Sequence, residues 1–229
     1  MAVITFAHRG ARIEEPENTL AAFARALTLG AGGIETDVRL SGDGLVVCSH
    51  DAVIGRGRRR IRIDRTPAAE LAEHGIPRLD EVYGQLGSVF ECSVDVKDPA
   101  ATAPLLEVAA AHGALERLWL CSPDLGLLTT VRAEPRVRLV HSVRRAEVSA
   151  PLERHAHDLG AAGIDAMNLH HTEWTAGLVS LFHRFGVLAF AWDTQETRHL
   201  RAALGMGIDA VYCDRPERMV AVVGEWGER

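Results

Sequence analysis

The sequence lacks the features that mark membrane, redox and nucleic-acid-binding proteins. No apolar run approaches the roughly 20 residues of a membrane-spanning helix, and the first apolar stretch is too short for a signal-peptide core. The 4 cysteines form no C-x-x-C pair and lie within apolar runs, so we expect buried free thiols. The net charge of −6 argues against a basic nucleic-acid-binding surface. We therefore expect a cytoplasmic protein with no transmembrane segment and no nucleic-acid partner.

Short apolar runs alternate with Ala- and Leu-rich helical stretches along the whole chain. Eight such pairs in 229 residues give a repeat of roughly 28 residues, which favours the α/β class and a TIM (β/α)8 barrel. The runs are VITFAH, GIETDV, FECSVDV, RLWLCS, RVRLVHSV, AMNLH, VLAFAW and DAVYCD. A doubly wound sheet is the alternative, but no G-x-G-x-x-G motif follows the first run. Because no linker or change of composition divides the chain, we expect residues 1–229 to form a single domain.

The connection after the second predicted strand is longer than the others. It holds about forty residues, beyond the usual length of a connection in a compact domain. Its segment GDGLVVCSHD predicts a small hairpin arm, and a cluster of arginines between Arg56 and Arg65 follows. In a barrel this insertion would lie at the C-terminal rim, where active sites form. We interpret the arginines as solvated loop charge; attraction of anionic substrates or lipid headgroups is the alternative.

Polar residues stand at the ends of successive predicted strands. Glu35 and Asp37 lie two positions apart, so their carboxylates point to the same side of the second strand. Other strand-end residues are His8, Arg9, His50, Asp95, Lys97 and Trp192. Three carboxylates that converge over a barrel mouth would repel one another without a counterion. A divalent cation would remove that cost, and Mg²⁺, Ca²⁺ or Mn²⁺ prefers oxygen ligands.

The ordered motifs resemble those of the glycerophosphodiester phosphodiesterase family over essentially the whole chain. The most specific matches are His8-Arg9-Gly10, Pro16-Glu17-Asn18-Thr19, Glu35-Thr36-Asp37 and His50-Asp51. Further matches are IPRLDEV, Asp95-x-Lys97, the strand 4 segment CSPD, Trp192 and GIDAVYCDRPE. Three places depart from the family pattern. Asp95 stands where the family often has Glu, and Asp193-Thr194-Gln195 replaces the usual Thr-x-Asn. After His50-Asp51, AVIGRGRRRIRIDRT replaces the family's leucine and Arg-Thr-Thr cluster.

The resemblance implies a TIM barrel that uses a divalent cation to hydrolyse a small-molecule glycerophosphodiester to an alcohol and sn-glycerol 3-phosphate. It implies metal ligation by Glu35, Asp37 and Asp95, acid–base catalysis by His8 and His50, and phosphate contacts by Arg9 and Lys97. Which histidine is the acid, and whether water or a neighbouring substrate hydroxyl attacks, both stay open. The machinery could instead act on another phosphodiester such as a lysophospholipid. An inactive barrel that binds phosphodiesters or a protein partner is a further alternative.

Several candidate residues have both a structural and a functional interpretation. Trp192 is expected to contact substrate at the rim, with closure of the barrel core as the alternative. Glu17 is a candidate substrate or rim residue, whereas Asn18 or Thr19 is expected to cap the helix that follows. His170 and His171 follow the sixth strand and have a rim role as an alternative to packing. Histidines on predicted helices, including His199, are expected to be surface or packing residues.

Overall fold

The computed structural model describes residues 3–55 and 60–227. The strands are β1 (Ile4–His8), β2 (Gly33–Leu40), β3 (Val46–Cys48), β4 (Val53–Ile54), β5 (Ile61–Arg62), β6 (Glu91–Val96), β7 (Leu118–Ser122), β8 (Arg138–Ser142), β9 (Ala166–His170), β10 (Leu188–Trp192) and β11 (Ala210–Cys213). The α-helices are α1 (Leu20–Thr28), α2 (Ala68–Glu73), α3 (Leu79–Leu86), α4 (Thr102–Ala111), α5 (Leu125–Val131), α6 (Leu152–Ala161), α7 (Ala176–Arg184), α8 (Thr197–Met206) and α9 (Pro216–Gly227). Short 3₁₀ helices span Ile63–Arg65, Pro99–Ala101, Leu115–Arg117, Arg145–Glu147 and His171–Glu173.

A closed ring of 8 parallel strands forms the centre of the fold. The strand order around the ring is β1, β2, β6, β7, β8, β9, β10 and β11, and β11 pairs back with β1. The predicted TIM barrel is therefore confirmed, and each predicted apolar run supplies one barrel strand. The doubly wound alternative is wrong because an open sheet leaves its first and last strands unpaired.

The predicted insertion after β2 is present and carries more structure than the sequence indicated. β3 pairs antiparallel with the end of β2 outside the ring, as predicted for a hairpin arm. β4 and β5 form a second antiparallel pair, and α2 follows them. Val47, Ile63 and Leu71 are fully or almost fully buried in a small apolar cluster of this insertion, so the insertion has an apolar core of its own.

The two-residue period of the strands places the core and the mouth residues on the same face. Phe6, Trp119, Phe190 and Tyr212 are buried in the apolar cluster that fills the barrel interior. Phe6 stacks on Tyr212 with ring centroids 5.0 Å apart. Because inward-facing positions recur every second residue, the position two residues beyond each of these aromatics faces the C-terminal mouth. His8 occupies such a position, two residues after Phe6.

The surrounding helices bury their apolar faces against the outside of the strands. In α1, Ala22, Phe23 and Ala26 are buried, and the Thr19 side chain accepts a hydrogen bond from the backbone N–H of Ala22. Thr19 is therefore the N-cap. Asn18, the other residue predicted as a possible cap, does not cap the helix, because its side chain turns into the barrel mouth.

The state of the cysteines and the lengths of the helices match two expectations from the sequence. Cys48, Cys92, Cys121 and Cys213 are free and buried, as predicted. Among residues 3–55 and 60–227, none of the helices has the length and the apolar character that crossing a lipid bilayer demands.

Candidate active site

A cavity of about 460 Å³ opens at the C-terminal mouth of the barrel. It is lined by nearly all of the residues that the sequence singled out as candidate site residues: His8, Arg9, Glu35, Asp37, His50, Asp95, Lys97 and Trp192. Glu17 is the exception and is not among the lining residues. Residues spread over most of the chain therefore meet at one site.

Strand register determines which of these side chains are neighbours. His8 on β1 pairs with Glu35 on β2, and Asp37 on β2 pairs with Asp95 on β6. Residues paired across parallel strands project to the same face of the sheet. Two adjacent layers of polar side chains thus stand above the aromatic interior of the barrel.

The turn after β1 has an unusual backbone conformation. Arg9 has a φ of 55° and Gly10 a φ of 82°, both in the left-handed region. A Cβ atom at Gly10 would lie 2.6 Å from the carbonyl carbon of Ala22, so only glycine fits there. The turn lets the backbone N–H of Arg9 donate a hydrogen bond of 3.0 Å to Oε2 of Glu35. Such strain is typical of functional sites, where the fold holds a residue against its own preference.

Two cationic side chains neutralise part of the negative charge at the mouth. Arg9 Nε lies 3.0 Å from Oδ2 of Asp37, and Lys97 Nζ lies 3.3 Å from Oδ1 of the same residue. Lys97 Nζ also contacts Asp95 Oδ2 at 2.5 Å. Burial opposes the charge on Lys97, but Asp95 and Asp37 outweigh it and raise the pKa of the ammonium group.

Glu35 has the most perturbed carboxyl group of the cavity. Burial, together with the charges of Asp37 and Asp95, raises its pKa to about 7, although His8 and Arg9 act in the opposite direction. Burial likewise raises the pKa of Asp95, against the effect of Lys97. When carboxylates are buried and crowded in this way, the cationic side chains of the protein offset only part of their negative charge.

The chemistry of these donors fits a hard divalent cation. Glu35, Asp37 and Asp95 offer only carboxylate oxygens, the ligand type that Mg²⁺, Ca²⁺ and Mn²⁺ prefer. Their oxygens do not all lie within 4.8 Å of one another, and Lys97 Nζ contacts both Asp37 and Asp95. These three carboxylates line one cavity and are the residues there that could hold such a cation.

His8 is held by partners on both sides of its ring. Its Nδ1 lies 2.6 Å from Oδ1 of Asp214, which follows β11, and its Nε2 lies 3.9 Å from Oε2 of Glu35. Burial favours the neutral ring, but the charges of Glu35 and Asp214 outweigh that effect and raise the pKa of His8. A histidine oriented by a carboxylate can hold and move a proton near neutral pH.

His50 enters the cavity from the insertion. Its Nδ1 lies 2.8 Å from Oδ1 of Asp51, and its backbone carbonyl accepts hydrogen bonds from Nε and Nη2 of Arg39 at 3.0 and 2.9 Å. Ser49 donates its backbone N–H to the Asp37 carbonyl at 2.8 Å. Local contacts to β2 therefore position His50 at the cavity, where its side chain is more exposed than that of His8 (41% against 29%).

Glu17 and Trp192 have different surroundings. The Glu17 carboxylate binds Nη1 of Arg9 at 2.8 Å and Nη2 of Arg12 at 2.5 Å, so it orients Arg9 from outside the cavity. Trp192 lines the cavity, and the Arg144 guanidinium lies 4.5 Å from its ring centroid. Trp192 also packs against the apolar cluster of the barrel interior, so it combines the rim position with the core-closing alternative, and its contact with substrate stays a prediction.

The arginine cluster of the insertion is only partly covered by the structure. Arg56, Arg58 and Arg59 lie outside the described residues. Arg62 pairs with Asp64 through Nη2 and Oδ2 at 2.6 Å, and both side chains are half-exposed. Arg62 is thus solvated and locally paired.

Comparison with known proteins assigns the family. Residues 8–218 match the glycerophosphoryl diester phosphodiesterase family. The chain belongs to this family. It is 26% identical to a glycerophosphodiester phosphodiesterase of Caldanaerobacter subterraneus, with 99% of this chain and 100% of the relative aligned. The chain is therefore a phosphodiesterase, an enzyme of the hydrolase class.

Solved structures agree with this assignment. A glycerophosphodiester phosphodiesterase from Thermotoga maritima superposes with a TM-score of 0.86 at 26% identity, covering 97% of this chain and 99% of its own. A phosphodiesterase from Oleispira antarctica, solved with the product sn-glycerol-3-phosphate, superposes with a TM-score of 0.81 at 26% identity. That alignment covers 96% of both chains.

The candidate site residues assigned from the sequence leave out three residues that support this cavity, Asn18, Asp214 and Gln195. Asn18 is 4% exposed; its Nδ2 donates to Asp37 Oδ2 at 3.2 Å, and its Oδ1 accepts from Thr36 Oγ1 at 2.8 Å. Asp214 supports His8, and Oε1 of Gln195 accepts a 2.9 Å hydrogen bond from the Asp214 backbone N–H. Their positions in the sequence were the available signal, because Asp214 directly follows β11 and Gln195 lies three residues after the end of β10.

Proposed function

We propose that the protein hydrolyses glycerophosphodiesters to an alcohol and sn-glycerol 3-phosphate, with a divalent cation and with His8 and His50 as the acid–base pair. The observation that carries the proposal is that both histidines and the three carboxylates line one cavity at the barrel mouth. Family membership and the product complex of the Oleispira antarctica relative support the choice of substrate.

The cationic residues are suited to the phosphate group. The Lys97 ammonium has three N–H donors and contacts two carboxylates, so a donor remains for a phosphate oxygen. Arg9 donates from Nη1 to Glu17, and its Nε lies close to Asp37 as an ion pair without forming a hydrogen bond, so the guanidinium retains further donors. Both residues would neutralise the phosphodiester and the charge that builds up on its oxygens during attack.

The carboxylates provide the place for the metal. Glu35, Asp37 and Asp95 would hold the cation, which supplies Lewis-acid stabilisation of a non-bridging phosphate oxygen when it is bound. Asn18 fixes one oxygen of Asp37 from outside this group, as partners of metal-binding carboxylates commonly do.

The two histidines divide the proton transfers. One removes a proton from the attacking water or substrate hydroxyl, and the other protonates the leaving alkoxide. Asp214 holds His8 and Asp51 holds His50, each through Nδ1, so Nε2 of each ring is the atom available to the substrate. This arrangement parallels the orientation of catalytic histidines by carboxylates in other hydrolases.

Trp192 forms the side wall on which the leaving group would rest. It lines the cavity, and Arg144 covers its ring. The aromatic ring offers apolar contact area to the alcohol portion of the substrate.

The test compares glycerophosphocholine with lysophosphatidylcholine, each with and without chelator, by measuring glycerol 3-phosphate, lysophosphatidic acid and choline. We expect glycerol 3-phosphate from glycerophosphocholine, lost with chelator and restored by Mg²⁺, Ca²⁺ or Mn²⁺. Preferential release of choline from lysophosphatidylcholine would favour the lysophospholipid alternative. Binding of either compound without turnover at any metal concentration would contradict the enzymatic proposal.

Asp95→Asn tests the metal site directly. The substitution keeps the size of the side chain and removes its charge, so the metal concentration for half-maximal activity should rise at least about tenfold. Asp158→Asn, which neutralises an exposed carboxylate that pairs only with Arg154 and His157 on its own helix, is the matched control. An unchanged metal requirement in Asp95→Asn would remove Asp95 from the ligand set.

A further inference from the structure

A cluster of imidazole and carboxylate groups lies at the cavity rim, separate from the carboxylates inside. The ligand atoms of His170, His171 and Asp193 all fall within 4.8 Å of one another. In the part of the chain that the structure describes, this is the one group of three His, Cys, Asp or Glu residues with that property. We propose that these three residues form a second metal site that takes a transition-metal ion, with Zn²⁺ as the reference ion.

The distances suit a small tetrahedral ion. His170 Nε2 and Asp193 Oδ2 are 3.1 Å apart. Two ligand atoms at about 2.1 Å from a tetrahedral zinc ion lie roughly 3.4 Å from each other, so these atoms need to separate only slightly. The same pair in the free protein forms a hydrogen bond, which a metal ion would replace.

The remaining nitrogen of His170 has the partner that a metal-bound imidazole needs. Nδ1 lies 2.7 Å from the Thr172 hydroxyl oxygen. In the free protein Nδ1 also accepts a hydrogen bond of 3.4 Å from the Thr172 backbone N–H. Metal binding at Nε2 would move the ring proton to Nδ1, where the Thr172 hydroxyl can accept it in a hydrogen bond. Metal-binding histidines are usually oriented by such a contact.

Ring packing holds the two imidazoles in place. The His170 and His171 ring centroids are 4.6 Å apart, and the His171 ring stacks on the His199 ring at 4.2 Å. His170 also packs edge-on against Trp192 at 4.6 Å. Because these rings are already ordered, little side-chain entropy remains to be lost when a metal binds.

The donor types separate this rim site from the site inside the cavity. Two imidazoles and one carboxylate favour Zn²⁺, Cu²⁺, Ni²⁺ or Co²⁺, whereas three carboxylates favour Mg²⁺, Ca²⁺ or Mn²⁺. Asp193 lines the same cavity as the catalytic candidates. Three protein ligands leave a coordination position for water or for an anionic group at the cavity entrance.

The experiment measures binding of Zn²⁺ to the full chain without a polyhistidine tag, by calorimetry in excess Mg²⁺. We expect about one Zn²⁺ per chain, and His171→Ala should weaken binding at least about tenfold. Asp193→Asn should do the same without disturbing the fold, because Asp193 is exposed and asparagine tolerates its φ of 63°. With Co²⁺ in place of Zn²⁺, the visible absorption of a tetrahedral site should appear and be lost in both variants.

Two further variants serve as controls. His157→Ala removes an exposed histidine that also pairs with an aspartate, Asp158 at 3.0 Å, and should leave Zn²⁺ binding unchanged. Asp95→Asn alters the carboxylate group inside the cavity and should also leave it unchanged. Binding that persists in His171→Ala and Asp193→Asn, or that is lost in Asp95→Asn, would overturn the proposal.

Discussion

His8 and Asp214, 206 positions apart in the chain, are joined by a hydrogen bond of 2.6 Å between Nδ1 and Oδ1. The contact exists because β1 pairs with β11 when the barrel closes. Gln195 holds the Asp214 backbone from the end of β10, so three barrel strands contribute to the position of one histidine ring.

We expect Asp214→Asn to lower kcat by about tenfold to a hundredfold, because His8 loses the acceptor that orients its ring. Asp214 also helps to raise the pKa of His8, so the limb of the pH profile that belongs to His8 should move to lower pH. A pH profile of kcat measures both effects. Asp158→Asn, which alters the exposed pair of His157 and Asp158, is the matched control. A fall in kcat without any shift of the profile would contradict the proposed role.

His8→Ala and His50→Ala should each lower kcat by about 10²–10⁴-fold if each ring transfers a proton. A glycerol phosphodiester with a p-nitrophenol leaving group then distinguishes the two roles. This leaving group departs without protonation, so the variant that lacks the acid should recover much of its activity, whereas the variant that lacks the base should not. Activity within tenfold of the parent in both variants would contradict the acid–base assignment.

Substitutions at Asn18 separate the effect of losing its amide group from the effect of its backbone conformation. Its φ of 56° favours glycine or asparagine, and its amide group holds Asp37 and Thr36. Asn18→Ala and Asn18→Gly should both lower metal affinity by about 10–100-fold, because both lose the amide. Asn18→Ala should also be less stable than Asn18→Gly by about 1 kcal/mol, since only alanine is strained at this φ. Activity against metal concentration and urea unfolding measure the two effects. Equal metal affinity in the parent and Asn18→Gly would contradict the role of the amide.

The loss of folding stability at acid pH should depend on His141. This residue is 5% exposed, and burial, together with the neighbouring His155, lowers its pKa to about 4 from an ordinary value near 6.5. The folded state therefore binds fewer protons here than the unfolded state as the pH falls. The stability that depends on a neutral His141 is complete above pH 6.5 and is lost progressively toward pH 4, by up to about 3 kcal/mol.

Urea unfolding at several pH values between 7 and 4 measures this effect. His141→Gln does not titrate, so its free energy of unfolding should fall less steeply with acid than that of the parent. His157→Gln, a change at a histidine whose side chain is 61% exposed, should follow the parent. Parallel curves for the parent and His141→Gln would contradict the assignment.

The barrel and most of the cavity could be predicted because both depend on short-range patterns. Apolar runs of five or six residues followed by a polar residue indicate a buried strand that ends at a mouth, as in the stretch from Ile4 to His8. The shared position of Glu35 and Asp37 was predictable for the same reason, because residues two positions apart on a strand project to the same face of the sheet. The start of α1 was predictable from a local capping pattern, which named Asn18 or Thr19, and the structure selects Thr19.

The sequence by itself determined the number of strands, their inward positions and the type of chemistry at their ends, because these follow from a two-residue period and from side-chain identity. Only the tertiary structure decided that Asp214 supports His8, that Asn18 holds Asp37, and that His170 meets Asp193. Ring closure and loop conformation bring these residues together, and no local pattern encodes a contact between residues so far apart in the chain.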